Sequence, residues 1–152
     1  MRIILHIGTH KTGTSSIQNF CANHIDFLRK YGVYYAFDPY KSGRNANFLG
    51  TYLSRKNYKE IEEFFSFAIK TAQDLELERL LISAETLYAI TSFYSDSNND
   101  LENCKFDKCY INALSRILSG HDVIVVYYLR HQMDFCDSLY NQMVKHRDGY
   151  KG

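Results

Sequence analysis

Gly8-Thr9-His10-Lys11-Thr12-Gly13-Thr14-Ser15-Ser16 gathers two glycines, a lysine, a histidine and five hydroxyl side chains into nine consecutive positions. Where such a stretch joins a strand to a helix, its backbone amides and the free N–H groups of the helix start converge on an anion. Gly8 and Gly13 permit the turn and the close approach of a phosphate. Thr12, Thr14, Ser15 and Ser16 add hydroxyl donors, Lys11 adds a point charge, and His10 is placed to contact a donor or an acceptor group. Thr14 and Ser15 are equally suited to cap the helix that follows. Against the nucleotide-binding pattern G-x-x-x-x-G-K-[ST], Gly8, Gly13 and Ser15 fit, but Thr14 stands in the lysine position and the lysine has moved to Lys11. An ATP-using enzyme loses the side chain that reaches the β- and γ-phosphates. A lysine inside the loop suits the end of a shorter anion such as a phosphosulfate.

The elements that would position these groups are legible around them. Arg2 to Ile7 reads as a buried strand leading into the loop. From Ser15 a helix is written by Ile17, Phe20, Cys21, His24, Phe27, Leu28 and Tyr31 at spacings of three and four, with His24 expected among the packed residues and Gly32 as the stop. Val33 to Phe37 is extended, Asp38-Pro39 breaks it, and 41–47 is polar loop. A second helix follows at Ile61, Phe64, Phe65, Ala68, Ile69, Ala72 and Leu75. Leu80-Leu81-Ile82 is a strand ending at Ser83-Ala84-Glu85, and 95–103 is a polar surface loop. Tyr110, Leu114, Ile117 and Leu118 mark a helix closed by Gly120. Val123 to Tyr128, β-branched and without alternation, reads as a strand covered on both faces. A last helix spans about 131–145. Strands alternating with helices imply a parallel sheet, whose ligands sit beyond the carboxyl ends of the strands. Three loops qualify, after Ile7, Ile82 and Tyr128. Glu85, beyond the second, is the first candidate for a general base, though a carboxylate at a helix start is also favoured by the dipole alone.

With those residues in view, the chain resembles the sulfotransferase family, of the bacterial type. Residues 4–18, ILHIGTHKTGTSSIQ, are similar to its 5′-phosphosulfate loop. Residues 123–145 resemble its 3′-phosphate element, a strand ending in Arg130 with Ser138 eight residues on. Residues 81–85, LISAE, are similar to a strand-end Ser-x-Glu segment of bacterial members. The resemblance implies an α/β fold, three-layer α/β/α with a parallel sheet, P-loop NTPase-like and incomplete. It implies 3′-phosphoadenosine-5′-phosphosulfate as co-substrate, no metal, and transfer of a sulfuryl group to a hydroxyl acceptor such as a carbohydrate. Gly8, Lys11, Thr12, Gly13, Thr14 and Ser15 would hold the phosphosulfate end, and Arg130 and Ser138 the 3′-phosphate. Lys11 would stabilise the leaving phosphate, with Glu85 or His10 serving the acceptor. Asn45-Ala46-Asn47 stands where the family often carries a histidine, so a base from that segment is not expected.

Composition bounds the rest. The 152 residues suit a single domain over 1–152, and the formal net charge of +1 excludes a strongly basic surface for nucleic acid or anionic membrane. No stretch approaches the roughly 20 apolar residues of a membrane span. Cys21, Cys104, Cys109 and Cys136 form no zinc-ligand spacing and read as reduced thiols of a cytoplasmic protein. Relative to the family the chain is expected to be C-terminally truncated, with an open sheet edge that favours self-association or a missing C-terminal partner. Two other readings stay open: a non-catalytic nucleotide- or anion-binding fragment, and a P-loop small-molecule kinase.

Overall fold

The computed structural model describes residues 1–8, 13–38, 40–41, 43–87 and 108–128, together with 131, 133–134, 136–138, 140–141 and 144. Its strands are β1 (Arg2–His6), β2 (Val33–Ala36), β3 (Arg79–Ser83) and β4 (Asp122–Val126). Its helices are α1 (Thr14–Asn23), α2 (Ile25–Lys30), α3 (Phe48–Ser54), α4 (Tyr58–Asp74) and α5 (Lys108–Ile117). The described positions within 133–144 are also helical. This is a mixed α/β chain with a four-stranded, all-parallel sheet in the order β2-β3-β1-β4. Among the described residues no helix is long and apolar enough to cross a membrane.

Strand alternation sorts the sheet into two faces. Ile3, Leu5, Leu80 and Ile82 point to one face and join Phe48, Leu49, Leu53, Ile61, Phe65, Ala68 and Leu118 in the main core. The α4 contribution is an i, i+4, i+7, i+11 stripe of Ile61, Phe65, Ala68 and Ala72, as its periodicity predicts. The other face carries His6 beside Ser83, paired in register at the carboxyl ends of β1 and β3. Gly32 (φ 71°) and Gly120 (φ 83°) take the left-handed conformation just past α2 and α5, which is how each closes its helix.

Four expectations are corrected here. The helix read from Ser15 to Tyr31 is two helices, because His24 (φ −125°, ψ 41°) leaves helical geometry and its Nδ1 lies 2.8 Å from the Phe20 carbonyl oxygen. His24 is not packed in a core but stacks, exposed, on Phe20. Phe20, Phe27 and Tyr31 are exposed too, while α1 buries Thr14, Gln18 and Cys21. The large aromatic members of the stripe thus face outward, while the inward face of α1 meets the polar strand ends. Finally, β4 is not covered on both faces: Val123, Ile124 and Val125, which alternate between the two faces, are all exposed. The short helix α3 was not legible either. Its Phe48, Leu49 and Leu53 are buried by packing against α4 and the sheet, and seven residues are too few for a periodic signal.

Candidate functional site

Strand order locates the crevice. From β1 the chain crosses over β3 to reach β2, and from β3 it crosses over β1 to reach β4. The loops leaving β1 and β3 therefore run toward opposite ends of the sheet, and the gap between those two carboxyl ends is the switch point where α/β proteins bind ligands. His6 and Ser83 are its floor.

Five polar side chains are buried there: His6, Thr14, Gln18, Ser83 and Glu85. Burial without partners would cost each of them on the order of 1–3 kcal/mol, and most of their groups are paired. The Thr14 hydroxyl donates to Glu85 Oε1 across the gap between α1 and β3. Gln18, one turn later on the same helix face, donates from Nε2 to Ser83 Oγ (3.0 Å) and Glu85 Oε1 (3.3 Å). Gln18 Oε1 in turn accepts from Asn45 Nδ2 at 3.2 Å. Ser83 Oγ lies 2.8 Å from His6 Nδ1. Ser83 has one hydroxyl proton and already accepts from Gln18. If it donates to His6 Nδ1, the neutral ring carries its own proton on Nε2. Burial pushes the His6 imidazole below its usual range, and the nearby Glu85 carboxylate opposes that shift. Nε2 is buried without a hydrogen-bond partner among the described residues, and the ring meets Tyr128 edge to face at 5.3 Å.

Above this floor, Gly13 precedes α1 as its N-cap with a left-handed φ of 81°, and among the described residues no side chain caps the helix. Capping by Thr14 or Ser15 is thereby corrected: Thr14 is already helical and turned toward Glu85, and Ser15 is exposed at the first turn. A helix start without a side-chain cap presents N–H groups and the positive dipole end to whatever lies in front of it.

The sequence-predicted residues divide accordingly. Gly8 is buried just past β1, while Gly13, Thr14 and Ser15 open α1, and Glu85 is joined to α1 through Thr14 and Gln18. Glu85 therefore fastens α1 to the tip of β3, and any role as a base would draw on a carboxylate that already accepts these donors. Ser138 is helical and half-buried. His10, Lys11, Thr12 and Arg130 lie outside the described residues. Sequence reasoning missed His6, Gln18 and Ser83 as partners of the site. The available signal was the polar i, i+4 pair Thr14–Gln18 on one helix face, together with a polar residue ending each of two neighbouring strands.

Among the described residues no three His, Cys, Asp or Glu side chains cluster as metal ligands. Cys21 and Cys136 are free thiols, and burial raises the Cys21 thiol above its usual range. Compared with known proteins, the chain matches no family model, no curated protein and no solved structure.

Proposed function

We propose that the chain binds 3′-phosphoadenosine-5′-phosphosulfate at the β1–β3 crevice, in a three-layer, P-loop-like α/β/α framework, and serves sulfuryl transfer to a hydroxyl acceptor. The observation that carries this reading is the join of an uncapped α1 start at Gly13 to the switch point through Thr14 and Glu85. A nucleotide's 5′ end fits such a place because amides and a positive dipole meet it there, and the family-like Lys-Thr-Gly-Thr core stands on the same loop.

The residues that would hold the donor are Gly8, Lys11, Thr12, Gly13, Thr14 and Ser15 at its 5′ end, and Arg130 and Ser138 at the 3′-phosphate. With the Thr14 hydroxyl engaged by Glu85, Thr14 would contribute its backbone N–H rather than its side chain. In the transfer the bond from sulfur to the bridging phosphate oxygen breaks and a bond from sulfur to the acceptor oxygen forms. The phosphate leaves with the electron pair, stabilised by the Lys11 ammonium, and the acceptor's proton passes to His10 or Glu85. One observation favours a second reading, a non-catalytic nucleotide-binding fragment: the carboxylate best placed as a base is already an anchor.

Calorimetry with adenosine 3′,5′-bisphosphate tests the donor site. Lys11→Ala and Arg130→Ala should each weaken binding by roughly 10- to 100-fold, as expected for a charge-assisted hydrogen bond. Unchanged affinity in both variants, or tighter binding of ADP with magnesium, overturns the assignment. Donor binding without any sulfated product across a panel of hydroxyl acceptors selects the second reading.

A further inference from the structure

A second concavity adjoins the crevice. Lys41, Asn47, Phe48, Thr51, Tyr52 and Thr86 line a pocket of about 440 Å³, within the range of small-ligand sites. Three consecutive residues make a shared wall between it and the polar cluster. Asn45 donates to Gln18 on the crevice side, the Ala46 N–H bonds the Ser83 carbonyl oxygen at 2.8 Å, and the Asn47 carbonyl accepts from the Thr86 hydroxyl at 2.7 Å on the pocket side. Along the other wall, Glu85 faces the cluster while its neighbour Thr86 faces the pocket. One residue, Ala46, thus separates the two sites on the first wall, and on the other the two sites are faced by adjacent residues.

The lining is an aromatic base with a fixed cation. Lys41 Nζ stands 5.2 Å from the Phe48 ring centre and 5.3 Å from that of Tyr52, so the rings hold an ammonium that would otherwise move freely in water. A hydrogen bond with Tyr52 raises the Lys41 ammonium above its usual range, burial opposes the rise, and Asp38 at 3.7 Å adds to it. Asp38 Oδ1 accepts from the backbone N–H groups of Tyr40 and Lys41, while Oδ2 stands 3.7 Å from Lys41 Nζ, an ion pair beyond hydrogen-bond reach. The Thr86 hydroxyl already donates to Asn47, so it meets a ligand as an acceptor. Aromatic surface, hydroxyl and amide groups, and one positive charge suit a hydroxylated ring that carries a negative charge.

We propose that this pocket binds a sugar acid, with Lys41 on its carboxylate and Thr86, Thr51 and Asn47 on its hydroxyls, as the acceptor side of the transfer inferred above. It rests on that reading only for the role of acceptor; binding itself stands apart from it. The full chain is titrated by ligand-observed NMR with 4-nitrophenyl β-D-glucuronide and with 4-nitrophenyl β-D-glucoside, which differ in the carboxylate. The glucuronide should bind at least about tenfold more tightly, the scale of one charge-assisted contact. Lys41→Met, which keeps the apolar stem, should erase that preference and leave adenosine 3′,5′-bisphosphate affinity unchanged. Equal binding of the two glycosides, binding of neither, or a preference that survives Lys41→Met overturns the proposal. Preference for the glucuronide in a chain that does not bind the bisphosphate sustains the pocket and removes the donor reading instead.

Discussion

At the tips of β1 and β3, polar side chains are buried and bonded to one another, while one strand away β4 leaves Val123, Ile124 and Val125 exposed. By residue type the opposite would be expected. The contrast shows that burial here follows what packs on a strand, and that α1 was recruited to cover the polar tips rather than an apolar face. Covering polar groups is unfavourable unless each finds a partner. A helix that does so through Thr14 and Gln18 fixes its own start over the switch point, where an anion can be met.

The contrast breaks most directly with a pair of matched truncations. Ile82 in β3 is 0% exposed and Ile124 in β4 is 41% exposed. Ile82→Ala should cost about 2–5 kcal/mol in chemical denaturation, the range for a buried large-to-small change, and Ile124→Ala under about 1 kcal/mol. Similar losses at the two positions would mean that β4 is covered in solution.

The polar tips can be sharpened by pH. Because burial lowers the His6 imidazole's proton affinity, the unfolded chain takes up that proton first as pH falls. The stability tied to neutral His6 is therefore complete above the ordinary histidine value of about 6.5 and is lost as pH falls through the lower folded-state value. Denaturation midpoints taken at about pH 7.5 and pH 5.5 should fall with acidification, and His6→Gln should flatten the change. An equal slope in the variant would place the titrating group elsewhere.

The smallest effect on stability belongs to the exposed strand. Val125, 55% exposed, should accept lysine within about 0.5 kcal/mol, as surface positions do. If the β4 edge supports self-association, Val125→Lys should lower the apparent mass in concentration-dependent sedimentation. An unchanged mass distribution in a self-associating chain would move the contact to another surface, such as the exposed Phe20 of α1, Phe27 of α2 and Tyr31 just past α2.

Local pattern in the sequence determined the alternation of strands and helices, the glycine stops after α2 and α5, and the buried stripe of α4. Period, β-branching and glycine freedom act over a few residues and need no partner to be read. Only the tertiary structure decided that β1 lies inside the sheet between β3 and β4, that α1 turns Thr14 and Gln18 inward, and that the strongest strand signal stands exposed. Those outcomes depend on residues some 65 to 120 positions apart, as in Gln18–Ser83 and Arg2–Asp122. A composition window cannot see them, because the free energy of a buried polar side chain is set by the partner across the gap and not by its neighbours along the chain.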